Sequence, residues 1–219
     1  MNKTALKSWL KTVPAQLQDL LVNRIDYHFY PELLLGLLLA LCAYPISRYA
    51  PVEWGYENGV VENSQMVLLF LSMIVCWKVR HNHALFRFIC AILFVLMLRE
   101  TNFGKTIFYP DPNRPNKFLS WDKIPYAPYV DPVMIVYGIL TAFYFIRKKI
   151  IHIIPAFIKS GRLPFWNIFL MLASIAVGVL VDKCFETFLV EEIAELIFYL
   201  LLLLSLWRAG RKNTNWLPE

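Results

Sequence analysis

The sequence lacks the short motifs that indicate nucleotide or serine-hydrolase chemistry. None of its 219 residues forms a Walker phosphate-binding loop, a G-x-G-x-x-G fingerprint or a G-x-S-x-G nucleophile elbow. Cysteine is also scarce. Three of the four cysteines, Cys42, Cys76 and Cys90, fall within predicted helices or at their cytoplasmic ends. Cys184 is the one cysteine predicted at the outer end of the helices. Neither a disulfide framework nor a thiol catalyst is therefore expected.

Charged residues are few and apolar residues abundant. Asp, Glu, Lys and Arg make up 17% of the chain, hydrophobic residues make up 58%, and the mean hydropathy is +0.49. A soluble domain does not need so much apolar surface for its core. In lipid the backbone must satisfy its own hydrogen bonds, and the apolar runs are too long for barrel strands. The composition predicts an all-α integral membrane protein.

Six apolar segments can be extended to the roughly 20 residues that a helix needs to cross a bilayer. We therefore divide the chain into an N-terminal segment, residues 1–31, and a transmembrane domain, residues 32–219. In the N-terminal segment, apolar side chains at helical spacing face away from three lysines, which predicts a short helix lying on the membrane surface. The six predicted crossings lie near residues 32–50, 61–79, 84–101, 130–147, 164–183 and 189–207.

The distribution of charge predicts the orientation of this bundle. Fifteen of the 22 basic residues fall on the side of the N-terminus, which places both termini in the cytoplasm. The opposite, outer face carries seven basic and twelve acidic residues, a net charge of −5. This bias accounts for the formal charge of +6 without any nucleic-acid partner. Carboxylates contribute little to orientation, so the acidic outer face needs a second explanation.

Several carboxylates are predicted to lie within the outer half of the bundle. The apolar run 196–207 is too short to cross the membrane alone, so the last helix must begin near residue 189. That start carries Glu191, Glu192 and Glu195 into the outer leaflet, and a similar argument brings in Glu62. Ionisable groups at this depth usually face the bundle interior and mark a function. The alternative is that they lie at the headgroup level in a locally thinned bilayer.

Asp182 and Glu186 are less easily explained than the other outer carboxylates. They lie at the C-terminal end of the fifth crossing, where the helix dipole disfavours negative charge and their i,i+4 spacing adds repulsion. Neutralisation by nearby basic residues, a bound cation or protonation would each relieve this cost.

Two local motifs open on the same outer face. The first, E-W-G-Y-E-N-G-V-V-E, runs from Glu53 to Glu62 and contains the tight-turn pair Asn58-Gly59. The second, R-E-T-N-F-G-K, runs from Arg99 to Lys105 at the end of the third crossing, with Gly104 expected to act as its C-cap.

At these motifs the chain resembles an uncharacterised group of bacterial inner-membrane proteins. Their pattern pairs E-[DN]-G-x-x-E at the start of one helix with E-x-x-[FW]-[GH]-[KQR] at the end of the next. The resemblance covers roughly residues 53–109 and implies a multi-pass protein of the bacterial inner membrane, without an established activity. The matching residues are Glu57, Asn58, Gly59 and Glu62, then Glu100, Phe103, Gly104 and Lys105.

A looser likeness is to alkaline-ceramidase-type membrane hydrolases. Glu53-Trp54, with Glu57 and Asn58, is similar to their acidic calcium-binding loop, although the spacing differs. Their catalytic zinc is held by histidines, and this chain departs from that pattern. All four histidines, His28, His81, His83 and His152, are predicted on the cytoplasmic side, so a histidine-bound outer zinc is not expected. Carboxylate-rich clusters suit Mg²⁺, Ca²⁺ or Mn²⁺ better.

The loop 101–131 is the one sizeable outer segment between predicted crossings, and it is rich in proline and aromatic residues. Two interpretations stay open: a lid over the acidic face that admits lipid headgroups, or an interfacial belt that anchors the bundle.

Three functions remain compatible with the sequence. We favour a site that binds or acts on membrane lipids with the help of a divalent cation, as in a hydrolase or transferase. The alternatives are a cation or proton transporter and a non-catalytic scaffold. The sequence leaves the oligomeric state open. The candidate catalytic residues are Glu57, Glu62, Arg99, Glu100 and Lys105, and the candidate metal ligands are Glu62, Asp182, Glu186, Glu191 and Glu195.

Overall fold

The computed structural model describes residues 25–56, 59–80, 82–112, 117–153, 163–185 and 188–211, and within them not the side chains of residues 52, 163, 182–185 and 188. The chain is helical. Its helices are α1 Pro31–Tyr49, α2 Val60–Lys78, α3 His83–Glu100, α4 Lys105–Phe108, α5 Ala127–Arg147, α6 Phe165–Phe185 and α7 Phe188–Arg211. Short 3₁₀ turns at Val52–Gly55, Asn102–Gly104 and Trp121–Lys123 join them. Strands β1 Ile25–Asp26 and β2 Leu163–Pro164 form one parallel pair.

The six long helices coincide, to within a few residues, with the six predicted apolar segments. Among the described residues, three stretches are long and apolar enough to cross a membrane: Pro31–Tyr49, Glu53–Lys78 and Ala127–Arg147. The apolar part of α6, Phe165–Val181, is shorter. Helix α3 has charged residues at both ends, and α7 carries three glutamates in its first two turns. Most of the predicted N-terminal helix lies outside the described residues.

Helix α7 lies at the centre of the bundle and packs against α1, α2 and α6. Helix α3 packs against α2, and α5 makes a looser contact with α3. Leu69, Leu93 and Leu201 are almost completely buried at the junctions between these helices. Gly36 of α1 lets the helices approach closely, because a Cβ there would lie 3.1 Å from side-chain atoms of both Leu170 and Leu201.

The outside of the bundle is apolar. Large apolar side chains of α1, α5 and α6 are more than half exposed, including Leu41, Ile139 and Leu172. In water such a surface would drive association, whereas lipid tails solvate it without cost. The exposed apolar faces therefore match the membrane environment that the composition predicts.

Helix ends follow the usual chemistry of helix termini. Pro31 stands in the first turn of α1 together with Glu32, and Arg48 stands in its last turn. Helix α1 contains Pro45 and continues to Tyr49. Helices α2 and α7 likewise begin with glutamates and end with basic residues, so their polar ends agree with the helix dipole.

Candidate functional site

Three helices bring four glutamates together at one end of the bundle. Glu62 lies in the first turn of α2, Glu100 is the last residue of α3, and Glu192 and Glu195 lie in the first two turns of α7. Glu192 lies within electrostatic range of the other three carboxylates. We call these four residues the carboxylate cluster. Glu62 is 7% exposed and the Glu100 side chain 9%, so the cluster is largely shielded from solvent.

Gln65 connects two sides of this cluster. It follows Glu62 by three residues and so shares its helix face. Its Nε2 donates to the backbone oxygen of Glu192 at 2.9 Å and to Glu192 Oε2 at 2.8 Å. Because both partners are acceptors, the amide nitrogen must face them and Oε1 must point elsewhere. Gln65 is fully buried, and its Oε1 has no hydrogen-bond donor within the described chain.

Arg99 and Tyr199 hold the other side of the cluster. Arg99 donates to Glu100 Oε1 from Nε at 3.1 Å and from Nη2 at 2.7 Å, and its Nη2 lies 3.4 Å from Glu195 Oε1. The buried Tyr199 hydroxyl donates to the same Glu100 oxygen at 2.6 Å. The Arg99 side chain is 59% exposed, so the guanidinium faces the surroundings while it pairs with two carboxylates.

Two glycines shape the first sequence motif: Gly55 lies against the start of α7, and Gly59 lies in the turn before α2. A Cβ on Gly55 would lie 3.0 Å from the backbone of Leu189, so the turn before α2 touches α7 directly. A Cβ on Gly59 would lie 2.5 Å from the Trp54 oxygen and 2.6 Å from the Tyr56 oxygen. Only glycine fits this crowded turn. The turn fixes the residue at which α2 begins, and hence the position of Glu62 in its first turn.

The second motif forms a tight turn after α3. Thr101 caps the helix end, since its Oγ1 donates to the Leu98 oxygen at 3.1 Å and accepts from the Gly104 nitrogen at 3.2 Å. Asn102, Phe103 and Gly104 all have positive φ, at 45°, 54° and 84°. Gly104 therefore has the expected left-handed conformation, but it is the N-cap residue of α4. The C-cap residue of α3 is Thr101, so the prediction of Gly104 as that C-cap is wrong.

Aromatic residues of the following loop pack on this turn. The Tyr126 hydroxyl donates to the Phe103 oxygen at 3.0 Å, and the Trp121 ring lies against Phe103. Lys105 places its Nζ 5.5 Å from the centre of the Trp121 ring, a cation–π contact. Burial raises the pKa of Tyr126, whose hydroxyl stays a hydrogen-bond donor at neutral pH. The loop thus packs on the turn that follows Glu100 and contacts Lys105.

The structure brings together only part of the predicted site. Glu62, Arg99 and Glu100 meet at the cluster with Glu195, and Glu191 lies within electrostatic range of Glu195. Two predicted residues, Glu57 and Glu186, and the side chain of Asp182 lie outside the described part of the chain. Within the described residues no group of three or more His, Cys, Asp or Glu side chains is spaced to hold a metal ion. Because the side chains of Asp182 and Glu186 are not described, the full predicted ligand set stays a prediction.

Gln65 and Tyr199 belong to the cluster's surroundings but were not among the predicted site residues. Gln65 could have been found from its spacing, because E-x-x-Q places Gln65 on the face of α2 that carries Glu62. Tyr199 lies four residues after Glu195 inside a long apolar run, where a tyrosine is usually a core or interface residue. Its role depends on the contact between α3 and α7, which no local pattern predicts.

The opposite end of the bundle holds a paired acid and base. There Arg208 pairs with Glu32 at 2.5 Å and stacks over the Tyr30 ring, and the Tyr30 hydroxyl donates to Asp26. Burial and the neighbouring Asp26 carboxylate raise the pKa of Tyr30. The Glu32–Arg208 pair matches one carboxylate with one guanidinium, whereas the carboxylate cluster has four carboxyl groups and a single guanidinium, that of Arg99.

Comparison with protein-family models, with curated proteins and with solved structures finds no match to this chain.

Proposed function

We propose that this chain is a multi-pass protein of the bacterial inner membrane, with about six crossings and both termini in the cytoplasm, whose carboxylate cluster binds a divalent cation at the outer end. In this proposal the bound cation and Arg99 together bind the phosphate of a membrane lipid headgroup. The site then either holds the lipid or acts on it as a hydrolase or transferase. The resemblance to inner-membrane proteins and the charge bias between the two ends support the location.

The unpaired oxygen of Gln65 is the observation that carries the cation site. Buried polar atoms almost always have a partner, and an unpaired one costs about 1–3 kcal/mol. Within the described chain Gln65 Oε1 lacks a donor. The amide nitrogen of the same side chain donates to Glu192, a partly buried carboxylate within electrostatic range of three others. An amide oxygen with neighbouring carboxylates is the ligand type that Mg²⁺, Ca²⁺ and Mn²⁺ prefer. One cation would satisfy both groups.

Arg99 and Lys105 support a phosphate-binding role. Arg99 bridges Glu100 and Glu195 yet leaves more than half of its side chain exposed, so it has donors to offer a ligand. Lys105 begins α4, directly after the turn that follows Glu100, and packs on the Trp121 ring. Trp121 belongs to a loop whose aromatics suit the membrane interface. A cation with two basic side chains can hold a phosphate and stabilise negative charge that develops on it.

A transporter is supported less well, because the described helices carry no charged side chain between the cluster and the opposite end of the bundle. Helix α2 has none between residues 66 and 77, and α7 has none between residues 196 and 207. Leu69, Leu93 and Leu201 are at most 1% exposed, and buried polar side chains at this depth, such as Ser72, are uncharged. An ion passing toward Arg208 would meet no charged ligand here, so we favour a site that exchanges its ligand at one end.

A structural scaffold is the second candidate. The hydrogen bonds from Gln65 to Glu192 and from Tyr199 to Glu100 join α7 to α2 and to α3. In lipid such bonds contribute to helix association by about 0.6–2 kcal/mol each. In this view the cluster holds the three helices together without any cation.

Thermal unfolding with and without divalent cations separates these functions. For the cation site, saturating Mg²⁺, Ca²⁺ or Mn²⁺ should raise the Tm of the purified protein by about 5 °C or more, since ligand at a hundred times Kd adds about 2.7 kcal/mol. Glu192→Gln should lose this shift while keeping the helical circular-dichroism spectrum. Asp131→Asn, at an exposed position in α5, is the matched control and should keep the shift.

Two results would contradict the cation site. Equal Tm values with and without each cation would favour the scaffold, particularly if Glu192→Gln also lowered the Tm in their absence. A shift that Glu192→Gln and Asp131→Asn both retain would place cation binding somewhere other than the cluster. If cations bind as expected, a phospholipid headgroup should bind more tightly when the cation is present, and Arg99→Gln should weaken that binding.

A further inference from the structure

The end of the bundle that carries Arg208 has a groove of its own. It runs along the last three turns of α2 and α7 and has a volume of about 660 Å³. The two helices run in the same direction here, since Gln65 meets Glu192 near their starts and Val79 meets Gly210 near their ends. A Cβ on Gly210 would lie 2.7 Å from Val79, so glycine at this position lets the two helix ends come together at the base of the groove.

The groove is divided into an apolar length and a basic rim. Its apolar walls come from side chains such as Leu71 and Ile74 of α2 and Leu203 and Leu204 of α7. Along the helix axis this length is about 10 Å, at 1.5 Å per residue, which suits the upper part of an acyl chain. At the rim, where both helices end, the lining becomes polar.

The basic rim consists of Lys78, Arg80 and Arg211, and among the described lining residues none is acidic. The Arg211 guanidinium stacks on the Trp207 ring, 4.7 Å from its centre, which fixes the charge at the edge of the groove. Tryptophan and arginine at a helix end are typical of the membrane interface. Lys78 and Arg80 are both exposed, so their charges are available to a ligand.

We propose that this groove binds an anionic glycerophospholipid, with its phosphate at Lys78, Arg80 and Arg211 and an acyl chain along the apolar walls. Charge complementarity selects the occupant: three cations with no described acid favour a negatively charged headgroup over a zwitterionic one. The inference assumes that the bundle lies in a membrane, as proposed above, but it does not depend on the carboxylate cluster. The two sites are at opposite ends and can fail separately.

Native mass spectrometry of the full chain in detergent tests this proposal, with phosphatidylglycerol and phosphatidylcholine of identical acyl chains as probes. The wild-type protein should retain phosphatidylglycerol in preference to phosphatidylcholine. The triple variant Lys78→Gln, Arg80→Gln, Arg211→Gln should bind phosphatidylglycerol about tenfold more weakly or worse, because each basic residue near an anionic headgroup adds about 1 kcal/mol.

The matched control removes the same charge elsewhere on this side of the bundle. Arg147→Gln, Lys148→Gln, Lys149→Gln, at the end of α5, should leave phosphatidylglycerol binding unchanged. A separate variant, Leu204→Trp, fills the apolar length without altering charge and should weaken binding as well. Three results would each overturn the proposal. They are equal losses of phosphatidylglycerol binding in the two triple variants, no loss in the Lys78, Arg80 and Arg211 variant, and equal binding of both lipids by the wild type.

Discussion

A single carboxylate oxygen organises one side of the candidate site. Glu100 Oε1 accepts hydrogen bonds from Arg99 and from Tyr199, and the Glu100 side chain is almost fully shielded. Hydrogen bonds to charged groups are among the stronger ones in proteins, and their loss leaves a buried charge poorly solvated. The Tyr199 hydroxyl therefore matters more than its place in an apolar run would indicate.

Tyr199→Phe should lower the stability of the bundle by about 1–2 kcal/mol, because it removes the donor to Glu100 and leaves the packing of the ring unchanged. Unfolding in mixed detergent micelles, followed by circular dichroism, measures the change. Tyr144→Phe is the matched control. The Tyr144 hydroxyl is buried without a partner in the described chain, so its removal should be neutral or stabilising. Equal losses of stability in the two variants would show that the Tyr199–Glu100 bond contributes nothing specific.

Individual residues were predictable where a local pattern carried the information. The helix start is present where G-V-V-E predicts it, since α2 begins at Val60 and Glu62 lies in its first turn. The pairing of Gln65 with Glu192 joins residues 127 positions apart. That contact depends on how α2 and α7 pack, and helical periodicity in either segment leaves it undetermined.

At the scale of elements, the turn that begins α2 sets the register of the cluster. The carbonyl oxygens of Glu53, Trp54 and Tyr56 converge on the site that a Cβ of Gly59 would occupy. A side chain there would push the turn outward and shift the first residues of the helix, including Glu62. The short motif therefore acts on the site through backbone geometry.

Gly59→Ala should destabilise the protein by about 2 kcal/mol or more, since backbone atoms cannot give way as a flexible side chain can. It should also weaken cation binding at the cluster. Gly138→Ala in α5 is the control, because nothing lies within 4 Å of the added Cβ and alanine is the better helix former. That variant should be neutral or up to about 1 kcal/mol more stable. Thermal unfolding of both proteins measures the difference, and a harmless Gly59→Ala would remove the proposed role of the turn.

The long helices were predictable because apolar length and helix-terminus chemistry are local properties. The bounds of α1, α2, α3 and α5 agree closely with the predicted segments. The arrangement of these helices was not predictable in the same way. Nothing in the periodicity marks α7 as the central helix, because each long helix is apolar on most faces and has only a small preference for one side.

For the whole molecule, the two ends differ in sign. One end holds the carboxylate cluster and the other holds Arg208 with the basic groove. Positive charge retained in the cytoplasm would place the basic groove inside and the cluster outside. A green fluorescent protein fused to the C-terminus should then fluoresce, and alkaline phosphatase fused after Lys123 should be active. The reverse pattern in both fusions would contradict the proposed orientation.

Cation binding at the carboxylate cluster should depend on pH. Protons and a divalent cation compete for the same carboxylates, so cation affinity should fall as the pH decreases. Cation binding near neutral pH should release protons, which calorimetry in buffers of different ionisation enthalpy detects. A cation affinity that is constant between pH 5 and 8 would exclude the carboxylates as ligands.

Cation binding by the carboxylate cluster is the central claim, and electron paramagnetic resonance of Mn²⁺ tests it most directly. The free ion gives a six-line spectrum that disappears from solution when the ion binds. Titration of the purified wild-type protein should remove about one Mn²⁺ per chain, Mg²⁺ or Ca²⁺ should compete for the site, and Glu192→Gln should abolish the loss of signal. A spectrum that stays the same in the presence of the wild-type protein would contradict the claim.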